Sequence, residues 1–221
     1  MNPAVVLFAR EPEAGRVKTR LASDLGEETA LALYEAFLDD LARPGLLAPE
    51  WQGVVAHPGA RPGPGLLRRF APGYRFRTQG NGSLGERLWR VLAAERATGS
   101  GPVAVAGSDV PTLSQGLLAE GLSSVGDRAA VAFAPAPDGG FSLLVLGHRA
   151  DPGFLLGRVR WSTGFALSDA AANAAAQGLE VVFLPELADV DRAADLEALA
   201  LSAAEGRAPR TLTVLRALGA P

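Results

Sequence analysis

The apolar run AVVLFA, residues 4–9, leads straight into the loop REPEAGRVKTR, residues 10–20, and then into an amphipathic helical pattern. A short run of apolar and β-branched residues of this kind predicts a buried strand. The loop carries four cations: Arg10, Arg16, Lys18 (the only lysine of the chain) and Arg20. A strand, a glycine-containing basic turn and a helix start bring backbone N–H groups and cationic side chains to one place. This order predicts a site for phosphate groups, with a nucleotide as the leading ligand.

The rest of the chain repeats the alternation of short apolar runs and helical spacing. Strands are predicted at 3–9, 53–57, 74–78, 102–106, 129–134, 141–146 and 179–184. Helices are predicted at 24–42, just after 65, and at 84–97, 114–123, 163–176 and 193–205. Alternating units of this length imply an α/β fold, with a mostly parallel sheet covered by helices on both faces. The adjacent strands 129–134 and 141–146 allow one antiparallel pair, and a single domain over 1–221 is the simplest organisation.

Composition excludes several classes of protein. With 48% hydrophobic and 20% charged residues the chain is not a disordered one, and a net charge of −3 argues against a general nucleic-acid-binding surface. There is no cysteine, which excludes disulfides and thiolate metal sites, and two histidines exclude a histidine-rich metal centre. No apolar stretch approaches the roughly 18 residues of a transmembrane helix. In the absence of a signal-peptide pattern, a cytoplasmic location without membrane contact is expected.

Two further loops follow predicted strands and carry carboxylates. Asp109 lies in GSDVP, residues 107–111, and Asp138 lies in PDGG, residues 137–140. Ligands of such sheets bind beyond the carboxyl ends of the strands, so both acids are expected near the basic loop. They are candidate ligands for Mg²⁺ or Mn²⁺, which prefer oxygen donors, and Asp138 is alternatively the base for an acceptor hydroxyl. The competing interpretations are a helix cap at Asp109 and a plain Asp-Gly hairpin turn at Asp138.

The glycines beside these acids suit close approach of a ligand to the main chain. Gly15 in the basic loop and the pair Gly139 and Gly140 are the candidates for such an approach. Ser108, next to Asp109, is a further candidate for phosphate binding.

Three other segments have both a functional and a structural interpretation. In QGNGSLGER, residues 79–87, Gly85 and Arg87 are candidates to line a nucleotide pocket, although Ser83 and Glu86 also fit a capping box. Trp161 is either a wall for a sugar ring or, more commonly, a buried anchor. The acids at 189 and 191 precede a predicted helix, for which capping is the dominant interpretation.

Taken in order, these segments resemble a known group. They are FAREP…GRVKTRL (8–21), LGER (84–87), GSDVP (107–111), DGGF (138–141), WST (161–163) and DVD…DL (189–196). The chain resembles the bacterial DUF2064 family of glycosyltransferase-like proteins, within the nucleotide-diphospho-sugar transferase superfamily. The resemblance implies a Rossmann-like GT-A fold, a nucleotide over the loop of the first strand and a divalent metal near Asp109. The basic loop is also similar to those of guanylyltransferases, which transfer a nucleotidyl group.

The predicted roles follow from these residues and from the resemblance. Catalysis is assigned to Asp109, Asp138 and Lys18, and metal binding to Asp109 and Asp138. Phosphate or nucleotide binding is assigned to Arg10, Gly15, Arg16, Lys18, Thr19, Arg20, Gly85, Arg87 and Ser108. Substrate contacts are assigned to Gly139, Gly140 and Trp161. One departure stands out, because Ser83 occupies a position where the family usually has aspartate, which puts a catalytic role there in doubt.

Three functions therefore compete. The first is a metal-dependent glycosyltransferase that uses a nucleotide-sugar donor and a small acceptor. The second is a nucleotidyltransferase that uses a nucleoside triphosphate and a phosphorylated acceptor, which the number of cations in the loop favours. The third is a nucleotide-binding module without catalysis, which the missing carboxylate at 83 favours.

Overall fold

The computed structural model describes residues 1–219, without the side chains of residues 204 and 205. Seven strands form one sheet in the order β3-β2-β1-β4-β6-β5-β7. The strands are β1 Ala4–Phe8, β2 Gln52–His57, β3 Tyr74–Thr78, β4 Val103–Gly107, β5 Ala130–Pro135, β6 Phe141–Leu146 and β7 Glu180–Phe183. Only β6 among these runs antiparallel to its neighbours, so the predicted mixed, mostly parallel sheet is confirmed.

Helices cover both faces of this sheet. They are α1 Thr19–Leu25, α2 Glu27–Leu41, α3 Pro64–Phe70, α4 Leu84–Ala97, α5 Gln115–Val125, α6 Ala166–Ala176, α7 Leu196–Ser202 and α8 Pro209–Ala217. None of the helices in the described part of the chain is long and apolar enough to cross a membrane.

The central strand β1 shows why the sheet is buried on both faces. Val5 and Leu7 pack into one apolar core with residues of α1, α2, α5, α7 and α8. Ala4 and Val6 point the other way, into a second core beneath α4 and α6. All four side chains are fully buried, as expected for a strand whose apolar residues do not alternate with polar ones.

The strand order creates a crevice between β1 and β4. From β1 the chain crosses over to β2 on one side, while β4 pairs with β1 on its other side. The connections that leave β1 and β4 therefore diverge, and a gap opens at the carboxyl ends of these two strands. The loops at 10–18 and 108–114 lie at this point.

Two of the predicted helices differ from the structure, and two further elements were not predicted. The helix expected at 24–42 is two helices, because the chain turns at Gly26, whose φ of 87° suits glycine. The helix expected at 193–205 starts as a 3-10 turn, Ala193–Asp195, before α7 begins. Helix α8 and a 3-10 turn at Pro152–Leu156 were not predicted.

Candidate active site

A cavity of about 510 Å³ fills the crevice between β1 and β4. Its walls come from the basic loop, the loop after β4, the start of α4 and the segment 189–191. The loops that carry Lys18 and Asp109 thus meet at one cavity, as the sequence predicted. The segment 189–191 joins them from the far end of the chain.

Lys18 lies at the centre of the polar end of this cavity. Its Nζ donates to the carbonyl oxygen of Val190 at 2.6 Å and to Oδ1 of Asp191 at 3.1 Å, and lies 3.5 Å from Oδ2 of Asp109. The side chain is only 8% exposed. Burial disfavours its charge, but attraction to Asp109 and Asp191 outweighs burial and raises the pKa of Lys18. The ammonium is therefore held charged in place, not free in solvent.

The backbone of Lys18 is also unusual. Its φ of 47° and ψ of 45° put it in the left-handed region, which is uncommon for a residue other than glycine. Its carbonyl oxygen accepts the N–H of Ala22 and starts α1. The bend directs the side chain of Lys18 toward the acids while α1 leads away from them.

Three carboxylates gather around this lysine. One oxygen from each of Asp109, Asp189 and Asp191 lies within 4.8 Å of the others. Burial, followed by the nearby charges of Asp109 and Asp191, raises the pKa of Asp189 to about 6. Asp191 also accepts from Nη1 of Arg20 at 3.2 Å. We refer to Asp109, Asp189 and Asp191 as the acidic cluster.

Main-chain contacts hold the acidic cluster together. The N–H of Val190 donates to the carbonyl oxygen of Asp109 at 3.0 Å, which joins the loop after β4 to the segment 189–191. Gly107, two residues before Asp109, leaves room for this carboxylate, because a Cβ at this position would lie 2.2 Å from Oδ1 of Asp109. A side chain at 107 would therefore displace the Asp109 carboxylate from its present position.

The acidic cluster has the chemistry that a hard divalent cation needs. Mg²⁺ and Mn²⁺ bind through carboxylate oxygens, often one or two together with substrate phosphates. This set of candidate ligands nevertheless differs from the predicted pair of Asp109 and Asp138. Asp189 and Asp191 lie with Asp109, whereas Asp138 does not belong to the group. Lys18 partly neutralises the group, so a cation would share these oxygens with an ammonium ion.

A second group of cations lies elsewhere along the same cavity. Arg10 and Arg87 both line it. The pKa of Arg87 is lowered mainly by burial and also by the nearby charge of Arg10. Within residues 1–219, apart from the side chains at 204 and 205, no carboxylate forms an ion pair with Arg10 or Arg87. Arg87 donates instead to Oε1 of Gln79 at 3.1 Å. Two unpaired guanidinium groups facing one cavity favour an anion between them.

Tyr34 supports the loop from below. Its hydroxyl interacts with Oγ of Ser108 at 3.0 Å and accepts the N–H of Arg10 at 3.0 Å. Burial raises the pKa of Tyr34, so the phenol remains neutral. Ser108 thus lines the cavity, but its hydroxyl group is hydrogen-bonded to Tyr34. Through Tyr34 this bond connects the loop after β4 to the loop after β1.

Other residues of the basic loop have different surroundings. Arg16 is 79% exposed and pairs with Glu13 at 2.9 Å. Thr19 is the first residue of α1 and lines the cavity with Arg20. Gly15 has a φ of 72° and lies beside Glu27.

Ser83 and Gly85 have structural contacts at the start of α4. Ser83 Oγ accepts the N–H of Glu86, and Glu86 accepts the N–H of Ser83 at 2.7 Å, which confirms the capping box. A Cβ at Gly85 would lie 2.4 Å from the carbonyl oxygen of Leu155 and 3.0 Å from the ring of Trp161. Gly85 therefore lets α4 pack closely against these residues.

Trp161 and the turn at 138–140 lie away from the lining of this cavity. Trp161 packs edge-on against Phe141, with ring centroids 6.2 Å apart, and contacts the second core. Asp138 lines a neighbouring cavity together with the segment 189–191. Phe141 and Ser142, just after the turn, do line the first cavity.

Sequence reasoning missed Asp189 and Asp191 as site residues. They were interpreted as helix caps, but the carboxylate of Asp195 accepts the N–H groups of Asp191 and Arg192 instead. The contact between Lys18 and Asp191 spans 173 positions, so no local pattern could reveal it. The signal available in the sequence was the pair Asp189 and Asp191, two residues apart, which belongs with Asp195 to the family-like motif at 189–196.

The profile of the family described as "Uncharacterized protein conserved in bacteria (DUF2064)" matches residues 45–163. Among curated proteins, no sequence matches significantly. The matched range contains Arg87, Asp109 and Asp138, whereas Lys18, Asp189 and Asp191 lie outside it.

Solved structures share the fold over nearly their whole length. A candidate nucleotide-diphospho-sugar transferase from Desulfovibrio desulfuricans G20 is 27% identical, with a TM-score of 0.87 over 100% of this chain and 96% of that chain. 4-Diphosphocytidyl-2C-methyl-D-erythritol synthase is 13% identical, with a TM-score of 0.59 over 91% of this chain and 98% of that one. A nucleotidyl transferase from Methanothermobacter is 17% identical, with a TM-score of 0.58 over 89% and 94%. The last two likenesses establish the Rossmann-like transferase fold alone.

Proposed function

The chain belongs to the DUF2064 family, and we propose that it is a transferase that uses a nucleotide-activated sugar as donor and a divalent cation as cofactor. The observation that carries this proposal is the cavity between β1 and β4. It has the acidic cluster and Lys18 on one wall and the unpaired Arg10 and Arg87 on another.

The cavity offers each part of such a donor a suitable surface. The apolar side chains of Phe8, Leu84 and Leu88 line it and suit the flat face of a nucleoside. Arg10 and Arg87 suit the diphosphate, because guanidinium groups make paired hydrogen bonds to phosphate oxygens. The sugar would then lie toward the acidic cluster, where the bond to the diphosphate breaks.

Asp109, Asp189 and Asp191 would hold the divalent cation, which neutralises charge that develops on the departing diphosphate. Arg20 lies beside the cluster, 61% exposed, and can turn toward the same phosphates. Lys18 adds a fixed positive charge that is already in place before the donor arrives. Fixed charges of this kind stabilise a leaving group without a cost for reorganisation.

The direct test is thermal stabilisation by nucleotide-sugars with and without Mg²⁺. We expect the wild type to gain melting temperature with a nucleotide-sugar plus Mg²⁺, because a ligand that binds only the folded state stabilises it. Asp109→Asn removes one negative charge from the acidic cluster and should abolish the Mg²⁺-dependent part of the increase in melting temperature. Glu13→Gln, which changes a carboxylate paired with the exposed Arg16, is the matched control and should behave as the wild type. Equal stabilisation by every nucleotide without Mg²⁺ would favour a binding module instead.

Nucleotidyl transfer is the second candidate, favoured by the five cationic residues that line the cavity: Arg10, Arg16, Lys18, Arg20 and Arg87. This number suits a triphosphate better than a diphosphate. The leaving group separates the two candidates, since glycosyl transfer releases a nucleoside diphosphate and nucleotidyl transfer releases pyrophosphate. Assays of both products, with nucleotide-sugars and nucleoside triphosphates offered separately, decide between them.

A further inference from the structure

A second cavity, of about 430 Å³, lies on the other side of the segment 189–191. Its walls include Thr112, Asp138 and the start of α7 around Ala198. It shares Arg20, Asp189 and Asp191 with the first cavity. Two cavities that meet at one charged wall suit a reaction between two substrates, with the reacting atoms at that wall.

The charges of the second cavity restrict what can bind there. Asp138, Asp189, Asp191 and Asp195 line it against Arg20 and Arg192, and Arg20 is paired with Asp191 at 3.2 Å. In the proposed complex the charge of the divalent cation is offset by the diphosphate of the donor, so the excess of carboxylates remains. This excess repels a phosphate or carboxylate, and the Asp138 carboxylate can accept hydrogen bonds from hydroxyl groups.

The segment that leads into and through α7 adds both apolar and polar side chains to the second cavity. They are Ala194, Ala198 and Leu199, together with Asp195 and Ser202. Asp195 already accepts the N–H groups of Asp191 and Arg192. The alanine and leucine side chains suit the C–H faces of a sugar ring or a polyol, and the oxygens of Ser202 and Asp138 suit its hydroxyl groups. This lining fits a neutral hydroxylated molecule.

Asp138 is fixed in position at this cavity. Its Oδ1 accepts the N–H of Gly140 at 2.8 Å, and the turn is closed by the N–H of Ala136, which donates to the carbonyl oxygen of Gly140 at 3.0 Å. Gly139 has a φ of +84°, and a Cβ there would lie 2.4 Å from the carbonyl oxygen of Gly164. The turn is thus held against the loop before α6, and the carboxylate is oriented before any ligand binds.

We infer that the second cavity binds the acceptor, a small neutral saccharide or polyol, and that Asp138 receives the proton of its attacking hydroxyl group. This inference rests on the proposed glycosyl transfer. The acceptor oxygen forms a bond to the anomeric carbon of the donor. The bond from that carbon to the phosphate oxygen breaks, its electron pair leaves with the nucleoside diphosphate, and the hydroxyl proton passes to the Asp138 carboxylate.

The test fills the second cavity without touching the first. Ala198→Trp puts an indole into the cavity from an exposed helical position, and Leu201→Trp, 72% exposed on the same helix outside the cavity, is the matched control. The donor is the nucleotide-sugar that gives the largest Mg²⁺-dependent thermal shift. Two sets of acceptor probes are compared. The neutral set contains methyl glycosides and glycerol, and the phosphorylated set contains glucose 6-phosphate and glycerol 3-phosphate. The measurement is the rate at which nucleoside diphosphate is released.

We expect the neutral probes to raise release by the wild type at least tenfold over water, and the phosphorylated probes to leave it unchanged. Ala198→Trp should lose this increase but keep the donor's thermal shift, while Leu201→Trp keeps both. Asp138→Asn should lower the acceptor-dependent rate about a hundredfold, the low end for loss of a general base, with the donor's shift intact.

Three results overturn the inference while the proposed function stands: a larger increase with the phosphorylated probes, no increase with either set, or an unchanged increase in Ala198→Trp. A wild type that no nucleotide-sugar stabilises overturns the proposed function itself, and the inference falls with it.

Discussion

At the scale of single residues, Lys18 has a different position from the one its sequence context predicts. The motif predicts a lysine that binds phosphate, whereas the structure buries the ammonium against Asp109 and Asp191. The same charge can serve both purposes, because a phosphate or a cation that enters the cavity meets an acidic cluster already partly neutralised. We therefore expect Lys18 to weaken the attraction of the cluster for a divalent cation.

Lys18→Met tests this control. We expect the variant to lose roughly 1–3 kcal/mol of unfolding free energy without Mg²⁺, because it leaves partly exposed acids facing each other without a counter-charge. We also expect Mg²⁺ to stabilise the variant more than it stabilises the wild type. Urea denaturation at several Mg²⁺ concentrations measures both effects.

Arg20→Met is the matched control for this experiment. Arg20 pairs with the same Asp191 but is 61% exposed, and an exposed pair contributes about 0–1 kcal/mol. A loss of stability equal to that of Lys18→Met, or an unchanged Mg²⁺ response in Lys18→Met, would contradict the central position given to this lysine.

His57 predicts a dependence of stability on pH. It lies at the end of β2, only 4% exposed, and burial lowers its pKa below the ordinary 6.5. Below pH 6.5 the unfolded chain takes up a proton at His57 that the folded protein does not take up. The free energy of unfolding therefore decreases as the pH falls below 6.5, and His57 has no effect on it above that range. His57→Gln cannot titrate and should lose less melting temperature between about pH 8 and about pH 5.5. An identical loss in both proteins would show that His57 is not the group responsible.

At the scale of elements, the capping box of α4 explains why serine at 83 is compatible with an intact site. Ser83 spends its hydroxyl on the N–H of Glu86 and does not line the cavity. An aspartate at this position would make the same cap, since both side chains offer an oxygen to the helix N-terminus. The departure from the family pattern therefore costs the helix little.

Ser83→Ala and Ser83→Asp separate capping from chemistry. We expect Ser83→Ala to lose about 1 kcal/mol and Ser83→Asp to lose almost none. Neither should change the Mg²⁺-dependent shift by a nucleotide-sugar. Ser114→Ala, which removes the equivalent cap of α5 from Leu117, is the matched control for stability. If the Ser83 variants changed the shift by the nucleotide-sugar and Ser114→Ala did not, Ser83 would have a role in donor binding.

The turn at 138–140 makes a second prediction at this scale. Gly139 and Gly178 both have positive φ, 84° and 79°, but only Gly139 has backbone atoms where a Cβ would lie. Gly178→Ala should cost about 1 kcal/mol from backbone strain, whereas Gly139→Ala adds a steric clash and should cost on the order of 3 kcal/mol. Chemical denaturation measures both, and equal losses would show that the turn moves freely.

At the scale of the whole molecule, the sequence predicts what depends on local pattern. The strands of the sheet and the meeting of Lys18 with Asp109 follow from apolar runs and from the rule that ligands bind at strand ends. The approach of Asp191 does not, because it depends on how the C-terminal segment folds back across the sheet. Asp138 was predicted beside Asp109, but its turn faces the neighbouring cavity, a direction set by packing against Gly164.

A buried acid in α2 contacts the last part of this C-terminal segment. Asp40 is fully buried, and its carboxylate accepts the N–H groups of Arg210 at 2.9 Å and Thr211 at 2.8 Å, at the start of α8. A carboxylate at a helix N-terminus satisfies otherwise unpaired donors and complements the helix dipole. Asp40 thereby anchors the end of the chain that delivers Asp189 and Asp191 to the active site.

Asp40→Ala leaves these two N–H groups without their acceptor, and we expect it to cost about 2 kcal/mol. Asp39→Ala, one residue earlier, removes a half-exposed carboxylate from Arg69, which keeps its pair with Glu35, and should cost less. Hydrogen exchange should show faster exchange over 189–218 in Asp40→Ala, with little change in β1. If exchange rises in α8 alone, the segment is not one cooperative unit, and the acidic cluster is held by its contacts with Lys18 instead.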